Sequence, residues 1–361
     1  MGNEDYGGYS GSAGDAAVRE MLSEDRRRFL GIAKRMSRAI ELNRIQPVGF
    51  ETRSTAAGES QQDVRPAEIS RDNADSEYPD QIYNLEKSQS KALEYIFGIG
   101  AKREWFGVEA DYRPTALADS TMNRIGAVLT TSEREGLALP FIGIDFTVTG
   151  SQEDIRERLQ VSSYDQEVDL PEGCSQIFHY EHNDKESILP IVPRYVIAMS
   201  GEVVESIVRT NVQLARVSED SPREEISVVE PKSISMLLFR HKILSELYAQ
   251  AELRCNQLNF EMTKELTDDR ELALDAFMVQ KDIFEGALAE VEWEITEKKQ
   301  SLKDLQNPKR VNKELINAAK EDDPAYAALM DETSKMNDEV AKRRFGQEAA
   351  GAAAMEAGEQ K

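Results

Sequence analysis

The sequence predicts an α/β (α+β) protein in which a sandwich domain precedes an antiparallel helical hairpin. Two patterns carry that reading. The run Phe141-Ile-Gly-Ile-Asp-Phe-Thr-Val148 alternates with period two, sending Ile142, Ile144, Phe146 and Val148 to one face and Phe141, Gly143, Asp145 and Thr147 to the other. From Ser235 the period changes. Leu237, Leu244, Tyr248, Ala251, Cys255, Leu258 and Met262 are spaced 7, 4, 3, 4, 3 and 4, as on a helix with one apolar seam.

In chain order, residues 1–15 are rich in Gly, Ser, Asp and Tyr and are expected to be a disordered arm. Residues 16–45 read as an amphipathic helix, with Leu22, Phe29, Ala33, Met36 and Ile40 on one stripe. It holds eight Arg/Lys against four Asp/Glu, so it is basic within an acidic chain. Such a helix either docks on the acidic body of its own chain or contacts nucleic acid or another anionic surface. Residues 46–80 form a linker with Pro47, Gly58, Pro66 and Pro79.

The α/β domain spans 81–232. A helix from Tyr83 to Ile99 ends at Gly98 and Gly100. Strands are expected at Trp105–Val108, Arg124–Thr130 and Leu139–Thr149, then a helix from Gln152 to Leu159 after the capping Ser151. Cys174–His182 and Tyr195–Met199 read as strands, and Glu202–Arg216 as a helix. The helical region spans 233–345. Thr267-Asp268-Asp269 caps a second long helix carrying Leu274, Phe277, Phe284, Leu288, Val291 and Ile295, and Asn307-Pro308 stops it. Asp323-Pro324 starts a shorter helix, and 346–361 is an Ala/Gly/Glu tail expected to be disordered.

Composition narrows the function. A formal charge of −23 repels phosphate backbones and disfavours a nucleic-acid-coating role. Cys174 and Cys255 offer no disulfide framework, which suits a cytoplasmic protein. No apolar run has the length to span a bilayer. Arg26-Arg27-Arg28-Phe29-Leu30 superficially matches a twin-arginine signal, but the next residues are too charged for an export segment.

Asp145 is the position that reads as chemistry, because a carboxylate in an apolar strand is paired, at a rim, or in a site. Asp145 and Thr147, with Glu109, Asp111 and Asp119 upstream, could assemble a divalent-cation site. The cation would be Mg²⁺, which takes oxygen ligands from one or two carboxylates plus water.

The order helix, strand, acid-bearing strand, helix resembles the restriction-endonuclease-like core of PD-(D/E)xK nucleases, as in uncharacterised proteins of reduced-genome candidate-phyla bacteria. The matching residues are Ile144-Asp145-Phe146-Thr147, Ile177-Phe178-His179-Tyr180-Glu181 and Pro193-Arg194-Tyr195-Val196-Ile197, within roughly 81–262. The resemblance implies a metal-dependent nuclease with Asp145 as ligand and Asp119 or Glu109 beside it. Two departures weaken the activity it implies. Asn123-Arg124-Ile125-Gly126 puts Gly126 where the family has an acid, and Thr147 stands where it has a lysine. One carboxylate organises metal-assisted phosphoryl transfer poorly.

Other signals have plainer readings. Cys174, His179 and His182 lack a fourth zinc ligand, His241 lies on a solvated basic face, and Trp105 and Trp293 are expected to pack in the core or hairpin. The sequence thus points to a cytoplasmic binding or scaffolding protein on a catalytically degenerate nuclease-like domain. Its helical hairpin would meet an unknown protein partner or a second copy, with no membrane contact. An Asp145-dependent nuclease and a coiled-coil structural component remain the alternatives.

Overall fold

The protein is described from a computed structural model, covering residues 13–44, 81–107, 110–116, 119–120, 124–131, 140–149, 151–160, 170–182, 185–216, 224–228, 233–262, 267–303 and 323–359. The architecture is mixed α/β. Its elements are α1 (Ala13–Asn43), α2 (Gln81–Ala101), β1 (Ala110–Pro114), β2 (Ala127–Thr131), β3 (Phe141–Thr147) and α3 (Gln152–Gln160). Then come β4 (Cys174–His182), β5 (Lys185–Ala198), α4 (Gly201–Asn211), β6 (Val212–Arg216) and β7 (Glu224–Val228). Three long helices follow: α5 (Ile234–Met262), α6 (Asp268–Lys303) and α7 (Pro324–Glu359).

Five strands form one sheet in the order β1-β2-β3-β5-β4. β1, β2 and β3 make an antiparallel meander, β4 and β5 pair antiparallel, and β3 runs parallel to β5. The parallel pair needs a crossover, and α3 lies within it.

The period-two pattern of β3 sorts the core as the sequence predicts. Ile142, Ile144 and Phe146 join Tyr195 and Ile197 in a large cluster with apolar residues of α1, α2, α4, α5 and α6. On the other face Val196 and Ala198 pack with Ile155 and Leu159 of α3 and Ala325 and Leu329 of α7. Val148 lies just past the strand and is half-buried. α1 docks through Phe29, Ile32, Ala33 and Met36 in the same cluster as Leu93 and Phe97 of α2.

α5 and α6 run antiparallel, as the pairs Arg240–Glu294, Lys281–Glu252 and Arg270–Glu261 show by their opposed numbering. Leu244, Leu258 and Phe284 are buried and Leu288 is half-buried against the same cluster. α5 does more than pair with α6. Phe239, Ile243, Leu247, Leu253 and Phe260 are buried as well, so this helix is enclosed on most sides.

Several expectations are corrected. Residues 102–106 form a turn rather than a strand: Trp105 N donates to Gly100 O at 3.1 Å, and the Trp105 ring occupies the space a Cβ on Gly100 would need. Gly107 holds φ +82°, a conformation open to glycine. The helix expected to run to Arg216 ends at Asn211. Residues 212–216 instead pair with 224–228, matching Val212 to Val228, because a partner strand offers β-branched Val212 more than a further helical turn. α7 is 36 residues long, not short, and continues to Glu359 through the stretch expected to be a disordered tail. Its Ala- and Glu-rich composition favours helix. Trp293 is 60% exposed rather than packed. Residues 13–15, expected to belong to the disordered arm of 1–15, are part of α1; residues 1–12, the 46–80 linker and Glu109 lie outside the described residues.

Candidate functional site

Alternation along β3 places Asp145 and Thr147 on the face under α3. The β3–β5 register sets Asp145 opposite Val196 and Gly143 opposite Arg194, so Arg194 shares that face one residue pair away. Its guanidinium reaches Asp145, with Nη2 2.7 Å from Oδ2. α3 brings the second cation: Arg158 Nη1 lies 2.7 Å from Asp145 Oδ1. Arg194 Nη1 also donates to the Arg158 carbonyl at 2.6 Å. The three side chains form one ion-paired unit, in which each carboxylate oxygen accepts from a different arginine.

The unit is dry on its Arg194 side, while Arg158 keeps 27% of its side chain exposed toward a cleft. Arg194 is only 3% exposed. Burial pushes its pKa down, and the neighbouring Asp145 carboxylate pulls it back up. That is the balance expected where desolvation opposes a close counter-charge.

A cleft of about 420 Å³ opens beside Asp145, lined by Lys91, Glu94, Arg124, Gly126, Asp145 and Arg158 among others. Several of its charges are matched locally. Lys91 Nζ lies 2.6 Å from Glu94, Tyr112 donates to the other Glu94 oxygen at 3.1 Å, and Arg124 meets Glu157 at 2.7 Å. Burial, then the Glu94 charge, raises the Tyr112 pKa well above the usual phenol value. Glu94 thus joins Asp145, Asp154 and Glu157 as a carboxylate on the cleft wall; the sequence reading did not single it out, and its place on α2 gave no signal of that.

The remaining candidate residues do other work. Asp119 is buried, and its Oδ1 accepts from Phe178 N at 2.9 Å, tying a short segment to β4. Its neighbour Ser120, rather than Asp119, lines the cleft. Thr147 is buried and accepts from Thr149 N at 3.4 Å. Asp111 lies on β1 and pairs with Arg113 at 2.8 Å. At Gly126 a Cβ would stand 3.2 Å from the Phe146 ring, and Gly126 N donates to Ile144 O at 2.8 Å. A carboxylate could enter there only if Phe146 moved.

The donor set does not fit Mg²⁺. A divalent ion at Asp145 would have to displace two guanidinium groups and then sit beside them. Among the described residues, no group of three or more His, Cys, Asp or Glu side chains is arranged to hold a metal ion. Cys174 is buried with its thiol pushed up to about 12, chiefly by burial, while the side chains of His179 and His182 lie outside the described residues. Trp105 is buried under the guanidinium of Arg240, 5.7 Å from the ring centroid.

Arg158 and Arg194 are the residues that decide this site, and neither was assigned a role from sequence. Arg194 stood within the Pro193-Arg194-Tyr195-Val196-Ile197 segment, and the signal available was a lone cation in an apolar strand, the mirror of Asp145 itself. Among the described residues, no helix is long and apolar enough to cross a membrane. No family model, curated protein or solved structure matches this chain.

Proposed function

We propose that this protein is a non-catalytic binding or scaffolding protein built on a nuclease-like core whose catalytic position has become an internal ion pair. The observation that carries the reading is the double engagement of Asp145 by Arg158 and Arg194. A carboxylate so engaged holds β3, β5 and α3 together, and it is a poor ligand for a metal that must activate water. Thr147 and Gly126 add no lysine and no second acid at the positions where the resembled nucleases carry them.

The restriction-endonuclease-like assignment of the core is part of the same proposal. It is supported by the order α2, β1, β2, β3, α3, β5, with β4 inserted between α3 and β5, by the antiparallel meander joined to a parallel strand, and by helices on both faces. In this reading the antiparallel α5–α6 pair offers the partner surface, since α6 is the outer of the two.

The test is an assay of DNA and RNA cleavage with Mg²⁺ or Mn²⁺, using the wild type and Asp145→Ala, with unfolding measured in parallel. The expected result is no cleavage by either protein and a large loss of stability in Asp145→Ala. Metal-dependent cleavage by the wild type that Asp145→Ala abolishes, with the fold intact, would instead establish the nuclease reading and make Glu94 the second ligand to examine.

A further inference from the structure

Among the described residues, four large hydrophobic side chains are exposed: Leu42, Ile188, Met278 and Trp293. Three of them fall on just two helix faces. On α1, the exposed residues Arg28, Gly31, Arg35, Arg38 and Leu42 are spaced 3, 4, 3 and 4. On α6, the exposed residues Met278, Asp282, Glu285, Ala289 and Trp293 are spaced 4, 3, 4 and 4. Spacing of this kind makes a single stripe along a helix and is the geometry of a helix–helix seam. Each helix already buries its opposite side in the core, so each carries a second seam that faces solvent.

The two seams are complementary. The α1 seam holds three arginines, and the α6 seam holds two carboxylates beside an aromatic ring. Pairing α1 with α1, or α6 with α6, would set like charges together. Pairing α1 with α6 sets arginines against carboxylates and against the face of Trp293, where a guanidinium stacks well.

Glycine supplies a further observation. Gly31 lies in the α1 seam, and Gly286 lies beside the α6 seam between Glu285 and Ala289. A Cβ added at either would meet nothing within 4 Å. Glycine inside a helix costs about 1 kcal/mol relative to alanine, and the monomer offers no packing reason for it at these positions. Close approach of another helix does offer one.

We infer that α1 of one copy docks on α6 of a second copy, in a head-to-tail contact centred on Gly31 and Gly286. The contact is heterologous, so each copy keeps one free α1 seam and one free α6 seam, and chains or closed rings result. The inference does not depend on whether Asp145 is catalytically silent. The net charge of −23 opposes self-association at long range, but a Debye length of about 8 Å at physiological salt screens that field more than it screens contacts at van der Waals range.

The test uses the full chain in sedimentation velocity across protein concentration, at physiological and at high salt. Mass should rise with concentration at physiological salt and fall at high salt, where the close charge pairs are screened as well. The variants Arg35→Glu/Arg38→Glu and Asp282→Lys/Glu285→Lys should each remain monomeric, with association weakened at least about tenfold for the lost pairs. Mixed together, they should associate again in alternation, because the two unchanged seams still match and the two reversed seams carry opposite charges as well. Gly286→Leu, in open space within the monomer, should block association while leaving the circular dichroism spectrum unchanged. A wild type that stays monomeric at every concentration would overturn the inference, as would association that these variants leave untouched or a mixture that fails to associate.

Discussion

Asp145 and Glu246 are both buried carboxylates beside β5, and the chain accommodates them in opposite ways. Asp145 lies on the β3 side and has two guanidinium groups within 2.7 Å. Glu246 projects from α5 toward the other edge of β5, where both its oxygens lie 3.3 Å from the Ala198 N–H. That edge is bare because β4 leaves β5 after the Cys174–Pro193 pair. The N–H groups of residues 194, 196, 198 and 200 are taken in turn by Gly173 O, Gln250, Glu246 and Asp323. Gln250 also donates to Val196 O at 2.7 Å. Helix side chains thus stand in for a missing strand. The difference teaches that a buried acid is a weak sign of catalysis until its partners are known, since burial demands a partner of some kind in either case.

The largest expected effect breaks the Asp145 side. Arg194→Ala should cost about 3–5 kcal/mol in chemical denaturation, because it leaves a buried carboxylate with the part-exposed Arg158 alone and Asp145 Oδ2 without its partner. Asp145→Leu/Arg194→Met should recover much of that loss, since an apolar pair of similar volume removes both desolvation costs. A double variant no better than Arg194→Ala would show that the ion pair is needed for the fold itself.

Gln250→Ala tests the substitute strand. It leaves the N–H and C=O of Val196 without their side-chain partner and should cost about 1–3 kcal/mol by the same measurement. Hydrogen exchange should rise first at residues 196–200 of β5, ahead of β3.

Glu246→Gln sharpens the contrast through pH. Burial, then the charge of Asp323, raises the Glu246 pKa well above the ordinary carboxylate value, against the opposing pull of the Ala198 N–H and Lys242. The folded protein therefore holds this proton more tightly than the unfolded chain, whose glutamate titrates near about 4.3. The contribution to stability is fully present below that value and is lost as pH rises through the raised folded pKa. Glu246→Gln keeps an acceptor for Ala198 N and should flatten this decline, so that wild type and variant differ more at pH 8 than at pH 4. Parallel stability curves would mean that Glu246 does not carry the extra proton.

The smallest effect is expected where no such partner is needed. Trp293→Ala should change monomer stability by no more than about 0.5 kcal/mol, because the ring is already in solvent. A loss of several kcal/mol would mean that Trp293 is packed after all.

Much of the sheet was legible in local pattern. The alternation of β3 sorted Ile142, Ile144 and Phe146 from Asp145 and Thr147 because side-chain direction in a strand follows sequence parity. The helical seams of α1, α5 and α6 were legible for the analogous reason at period 3.6. Boundaries were less so: Asn211 ends a helix that the sequence would extend, because β7 offers Val212 a partner 16 residues away along the chain. The α5 pattern was read as a one-sided seam, although Glu246 and Gln250, which lie outside that seam, are turned onto β5.

The candidate site was legible only halfway. A single sequence determined that Asp145 is a carboxylate flanked by apolar residues and must therefore find a partner, since no strand interior solvates a bare charge. Which partner it found was decided by tertiary structure alone. Arg158 lies 13 residues away and Arg194 lies 49 residues away, and only the parallel β3–β5 register and the crossover helix bring both within hydrogen-bond distance. Coulomb attraction at that range depends on separation in space and on the dryness of the site, and neither quantity is written in the order of residues along the chain.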